Sequence, residues 1–130
     1  MKLTLGLGCD RGTPMATIVQ AIEEALAACP ASRMDIASAA SIALKANEDG
    51  LLQAMQQVGV KIRFYSADEL AAVPVPNPSE TVRRHTGTPS VSEAAALLAA
   101  GEGAQLILEK HKRRGPDGRN ATVSIARIAQ

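Results

Sequence analysis

Aromatic side chains are almost missing from this chain: among 130 residues there are one phenylalanine, one tyrosine and no tryptophan. That removes the usual platform on which single-stranded bases stack. A dominant charge is missing too. Fourteen Lys and Arg face thirteen Asp and Glu, for a formal net charge of +1, so no overall field draws the protein to nucleic acid. No apolar run has membrane-spanning length, and "MKLTLGLG" meets glycine too early for the apolar stretch of a secretion signal. The two cysteines, Cys9 and Cys29, show neither a CxxC pairing nor metal-ligand spacing. The expectation is a reduced, cytoplasmic protein with no membrane span, no nucleic-acid partner, no metal and no cofactor.

What is plentiful is aliphatic. Hydrophobic residues make up 46% of the chain, many of them alanine. A chain of this length fits one domain, residues 1–130, and can build a core without disulfides. Alanine lets its helices pack closely.

The apolar spacing marks the elements. Leu3, Leu5 and Leu7 alternate as in a strand. A turn at 8–13 follows, with Thr13 placed to cap a helix and Pro14 at the first helical position. Met15, Ile18, Val19, Ile22, Leu26 and Cys29 form one helical stripe, ended by Pro30. Ala40–Leu44 reads as a second strand, with a helical turn before it. "NEDG" opens a helix that buries Leu51, Leu52, Met55 and Val58 and stops at Gly59. Val60–Tyr65 is a third strand.

"SADELAAV" is a short capped helix, "PVPNP" is extended, and "SETVRRH" is another short helix. "SVSEAAALLAA" is a longer one, with Ser90 or Ser92 as cap, Glu93 reciprocating, and Gly101 and Gly103 closing it. Gln105–Glu109 and Thr122–Ile128 make an antiparallel hairpin across a long, mobile, basic loop at 110–119. Strands alternating with helices predict an α/β fold: a three-layer α/β/α domain. Its sheet is mixed and mostly parallel, with about five strands, ending in the hairpin.

In an open α/β sheet, ligands bind beyond the carboxyl ends of the strands. "GLGCDRGTP" at 6–14 lies there. Gly6, Gly8 and Gly12 give G-x-G-x-x-x-G, one residue longer than the dinucleotide fingerprint, and no lysine follows Gly12 as a P-loop requires. Two readings stay open: a plain strand-to-helix turn, or one wall of an anion pocket whose amides, Gly8 to Thr13, receive a carboxylate. Cys9, beside Arg11 and a helix start, is either an activated nucleophile or a small packed thiol. Lys45 and Glu48 are either a binding cation and an acid or base, or a solvated ion pair. Arg83, Arg84 and His85 form an anion patch or the wet face of a helix. The basic loop is solvated or acts as a lid. Cys29, on the apolar stripe, belongs to the core.

"GLGCDRGT", "LKANEDGL", "VPNPSETV", "TGTPSVSEAAALLAAG" and "NATVSIAR", in that order, resemble the cobalamin-biosynthesis family of CobE and the C-terminal domain of CbiG. The chain departs from that pattern at Asp10, where a second basic residue is expected, and in the longer basic segment before "NATVSIAR". The resemblance implies a part in building the corrin ring. CbiG-type proteins are associated with hydrolytic opening of a lactone in cobalt-precorrin-5A, with loss of a two-carbon unit as acetaldehyde, and there this domain follows others. CobE stands alone and belongs to the oxygen-dependent route.

The implied ligand is a precorrin-type tetrapyrrole, a macrocycle rich in carboxylates. The expected role is accessory or carrier. The residues expected to bind are Gly8, Cys9, Arg11, Gly12, Thr13, Lys45 and Glu48, with Asn77, Ser79, Thr86, Gly87, Thr88 and Ser90 on the rim. Two alternatives remain. One is a lactone hydrolase, with Glu48 activating water or Cys9 attacking. The other is a scaffold that partners corrin-biosynthetic enzymes.

Overall fold

Alternation along β1 (Leu3–Cys9) sends Leu3, Leu5 and Leu7 to one face of a sheet and Thr4 and Gly6 to the other. A computed structural model describes residues 1–75 and 91–129. After β1 come α1 (Met15–Ala28), a 3-10 turn (Arg33–Asp35), β2 (Ile36–Ile42) and a second 3-10 turn (Ala43–Lys45). Then follow α2 (Asp49–Val58), β3 (Ile62–Tyr65), α3 (Ala67–Ala71), α4 (Val91–Ala100), β4 (Gln105–Arg114) and β5 (Asn120–Arg127).

The five strands lie in the order β3-β2-β1-β5-β4. β1, β2 and β3 pair in parallel, and β5 runs antiparallel to both β1 and β4. Helices cover both faces, which gives the three layers expected. On one face the leucines of β1 pack with Val123 and Ile125 of β5 against Ile18 and Ile22 of α1 and Leu51 and Met55 of α2. On the other, Ala40 and Ile42 meet Ala94 and Ala95 of α4. Small residues bring α4 very close. A Cβ on Gly6 would stand 1.7 Å from the Ser92 carbonyl oxygen, and Thr4 Oγ1 donates to the Ala96 carbonyl at 2.7 Å.

Several boundaries differ from the sequence reading. The second strand is Ile36–Ile42 rather than Ala40–Leu44, and Leu44 is 63% exposed on the turn that follows. The strand is rich in Ala and Ser and lacks apolar alternation. Ser41 fits inside because its hydroxyl donates to the Leu7 carbonyl at 2.6 Å. Pro14, not Thr13, is the capping residue of α1, because the Thr13 hydroxyl donates instead to the Asp10 carbonyl at 2.6 Å. Leu52 is 37% exposed, outside the buried side of α2. Gly59 does stop that helix, in the left-handed region at φ 79°. Ser66 and Glu69 form the capping box of α3. Ser92 lies within α4, its hydroxyl 2.8 Å from that of Ser124, and so is not a cap.

The largest correction concerns the basic segment. It is not a long loop: β4 continues through Arg114, and only a turn at 115–119 joins it to β5. The cations are accommodated because they have partners. Lys110 Nζ lies 3.4 Å from Glu93 Oε1 of α4, and His111 and Arg113 both bond Glu24 of α1. The helices predicted at "SETVRRH" and the extended "PVPNP" fall wholly or partly outside the described residues, as do Arg83, Arg84 and His85.

Candidate functional site

The carboxyl ends of β1 and β2 and the start of β5 meet at one edge of the sheet. There the turn 10–14 faces the first turn of α2 across an open cleft of about 490 Å³. Arg11, Gly12, Thr13, Pro14 and Met15 form one wall, and Asn47, Glu48, Asp49, Gly50 and Gln53 form the other. The walls touch at their base. A Cβ on Gly50 would stand 2.1 Å from the Thr13 carbonyl oxygen, so only glycine permits this approach. Glu48 precedes α2 as its capping residue, but its side chain caps nothing in its own helix. It crosses the cleft floor, where Oε2 accepts the Gly12 N–H at 3.1 Å. The carboxylate is only 8% exposed as a residue.

The amides of the glycine turn are largely committed to the fold. Asp10 N–H donates to Asn120 O at 2.9 Å, Thr13 N–H to Asp10 O at 3.2 Å, and Gly12 N–H to Glu48. Gly8 and Cys9 belong to β1, opposite Thr122 and Ala121 of β5. Of the Gly8 to Thr13 amides expected to receive a ligand carboxylate, those of Asp10, Gly12 and Thr13 have partners within the fold. The carboxylate at Gly12 is the protein's own.

Asp10 takes the place expected to be basic, and its role is structural. Its Oδ2 accepts both the main-chain N–H of Asn120 at 2.7 Å and the Asn120 side-chain amide at 3.0 Å, fastening β5 to the turn.

The surroundings of Cys9 oppose thiolate formation rather than favour it. Burial pushes its thiol up to about 11, and Glu48 and Asp10 push the same way. Lys45 and the hydrogen bond with Thr13 oppose them without prevailing. A thiolate is the reactive species, and these surroundings disfavour it. The same interactions place Lys45 and Glu48 near Cys9. Half-buried Lys45 therefore stands at the same sheet edge and is not among the residues that line the cleft. Asn77, Ser79, Thr86, Gly87, Thr88 and Ser90 lie outside the described residues.

The sequence reading places Asn47 and Asp49 at this edge within 45–49 and Arg119 in the basic loop, without naming any of them as a binding residue, and does not single out Gly50. Gly50 carried a readable signal, a glycine in the first turn of a helix, where it marks close approach. Arg119 was legible only as one cation of the basic segment, not by its place. Its Nε donates to the Arg11 carbonyl at 3.0 Å, across a separation of 108 residues. Among the described residues no group of three or more His, Cys, Asp or Glu can hold a metal ion, and no helix is long and apolar enough to cross a membrane.

Residues 3–126 match the family model described as cobalamin synthesis G C-terminus. The chain is 36% identical over 126 residues to a cobalt-precorrin-5A hydrolase of Priestia megaterium, covering 97% of this chain but 32% of that protein. It is 41% identical over 110 residues to the protein CobE of a Sinorhizobium species, covering 83% of this chain and 71% of that one. Among solved structures, CobE, described as a protein from the cobalamin (vitamin B12) biosynthetic pathway, superposes with a TM-score of 0.84 at 30% identity, over 98% of this chain and 91% of that one. The cobalamin biosynthesis protein chiG of Agrobacterium tumefaciens gives 0.74 at 32% identity, over 98% and 99%. The chain thus spans about a third of the hydrolase and most of CobE.

Proposed function

The chain belongs to the cobalamin synthesis G C-terminus family, and from that premise we propose that it binds a precorrin-type tetrapyrrole intermediate through the acid arms of the macrocycle. The observation that carries this reading is the cleft itself: a concavity of about 490 Å³ at the carboxyl edge of the sheet with Arg11 on its wall. This volume lies within the usual range for small-molecule sites. It takes one edge of a macrocycle with its arms, and the rest of the ring stays outside.

The two walls differ in sign. Arg11 stands on the turn side, and Glu48 and Asp49 on the helix side. An incoming carboxylate is drawn to the turn side and repelled from the other, which sets its orientation. Arg11 is the direct partner, since a guanidinium and a carboxylate form the stronger, charge-assisted kind of hydrogen bond. Lys45 adds positive potential at the same edge. In this reading the protein is an accessory or carrier in corrin-ring construction.

Titration of the purified protein with an isolated precorrin tests the reading. Saturable binding is expected, weakened about tenfold or more by Arg11→Ala, since a hydrogen bond to a charged group contributes about 1.5–3 kcal/mol. Lys45→Ala weakens it less. Absence of binding, or binding indifferent to both changes, removes the proposal.

One observation favours a second reading, hydrolysis of a precorrin lactone. Glu48 offers a nearly buried carboxylate at the floor of the cleft, with one oxygen held by Gly12 N–H. The other is a candidate to take a proton from water. Turnover of the lactone by this chain, lost in Glu48→Gln while binding persists, would establish it.

A further inference from the structure

The turn at 115–119 brings a second guanidinium against the glycine turn that forms one wall of the cleft, and it arrives already oriented. Gly115 is buried against α1, where a Cβ would stand 2.6 Å from Thr17 Oγ1, so the turn is docked rather than loose. Arg119 leaves this turn and lies along the glycine turn of β1. Its Nε donates to the Arg11 carbonyl at 3.0 Å, and its Nη1 pairs with Asp117 Oδ2 at 3.0 Å. A Cβ on Gly12 would meet Nε, Cζ and Nη2 at 3.3, 3.8 and 3.9 Å. The guanidinium thus rests against Gly12, the residue of the turn-side wall that has no side chain.

Arginine carries five N–H donors. Two of those on Arg119 are used by Arg11 and Asp117, and among the described residues Nη2 has no partner. The side chain is 49% exposed, so its charge is neither sealed in nor fully hydrated.

We infer that Arg119 is a carboxylate-binding residue at the margin of the cleft, acting beside Arg11 to hold a second acid group of the same polycarboxylate ligand. This rests on the proposed function and adds a specificity element to it: a ligand with two acid groups on one edge is preferred to one with a single group. Two features support the role. The Nε bond to the Arg11 carbonyl, which does not involve Asp117, holds the guanidinium and lowers the rotamer cost that a free arginine meets on binding. Asp117 also acts as a built-in competitor, a carboxylate already paired with the group that the ligand needs.

The competitor makes the inference testable by sign. Wild type, Arg119→Ala, Arg119→Lys and Asp117→Asn are titrated with the same isolated precorrin at two salt concentrations, and each is melted thermally. Arg119→Ala is expected to weaken binding about tenfold and to flatten its salt dependence. Arg119→Lys keeps the charge and recovers part of the loss. Asp117→Asn keeps an oxygen for the Arg119 main-chain N–H but removes the competing charge, so binding tightens. A purely structural Arg119 predicts the reverse, with Asp117→Asn neutral or weaker. The inference is overturned if Asp117→Asn leaves binding unchanged or weakens it, or if Arg119→Ala binds like wild type. In those cases binding by wild type leaves the proposed function standing. If wild type does not bind the precorrin, both fall together.

Discussion

The main-chain N–H of Gly12 donates to the Glu48 carboxylate at 3.1 Å, tying the turn after β1 to the start of α2 across 36 residues of sequence. This bond makes the cleft a fixed shape and gives Glu48 two possible duties, structural and chemical, which substitution can separate. Glu48→Ala leaves the Gly12 amide without its acceptor and is expected to cost about 1–3 kcal/mol, read from a urea denaturation midpoint. Glu48→Gln keeps an acceptor and costs less than Glu48→Ala. If the chain turns over a lactone, Glu48→Gln lowers the rate about 10²–10⁴-fold with little change in stability.

Close backbone approaches should make two glycines intolerant. Gly6→Ala puts a methyl group 1.7 Å from the Ser92 carbonyl oxygen, and Gly50→Ala puts one 2.1 Å from that of Thr13. Neither backbone can yield without parting two packed elements. Each change is expected to lower stability by about 1–3 kcal/mol or more. Gly50→Ala should also weaken ligand binding, because it pushes the two walls of the cleft apart. Gly59→Ala, with nothing within 4 Å, suffers only from its left-handed backbone and should cost about 1–2 kcal/mol.

Cys9 should be slow to alkylate. With its thiol pushed up to about 11 by burial, the thiolate is scarce at pH 8, and iodoacetamide labelling is expected to be far slower than for an unfolded control. Its linkage to stability has a definite sign. A pKa raised in the folded state favours folding fully below the ordinary value and loses that contribution as pH rises. Stability therefore falls between about pH 9 and 11 in wild type, and less so in Cys9→Ala. Labelling at the unfolded rate would refute the assignment.

Glu24 gives a prediction on the acid side. Its carboxyl is held below the usual range, first by the hydrogen bond with His111 and then by the Arg113 charge. A lowered pKa contributes stability that is complete above the ordinary carboxylate value and is lost as pH falls through the folded one. Wild type should exceed Glu24→Gln in urea midpoint at pH 7, and the two should converge as pH drops below about 4.5. A gap that persists at low pH would point to packing rather than charge.

The elements that proved legible were those whose signal is local. The alternation of Leu3, Leu5 and Leu7, the stripe along α1, the Ser66–Glu69 cap and the stop at Gly59 each depend on residues a few places apart. β2 was misplaced because Ser41 is polar in sequence yet satisfied by a carbonyl 34 residues away. β4 was cut short because Lys110, His111 and Arg113 read as loop until Glu93 and Glu24 stand beside them. At the site, Arg11, Gly12, Thr13 and Glu48 were legible and do share one cleft. The use of the turn's amides by Asn120, Asp10 and Glu48, and the arrival of Arg119, were not.

The sequence by itself determined the layered α/β plan, the sheet edge that carries the cleft and the family resemblance, because periodicity, caps and motif order are written in neighbouring residues. Tertiary structure alone decided which charges are spent on the fold and which are left without a partner inside it. A hydrogen bond or an ion pair goes to whichever group is nearest in space. In this chain the decisive partners, Gly12 with Glu48 and Arg11 with Arg119, lie 36 and 108 residues apart.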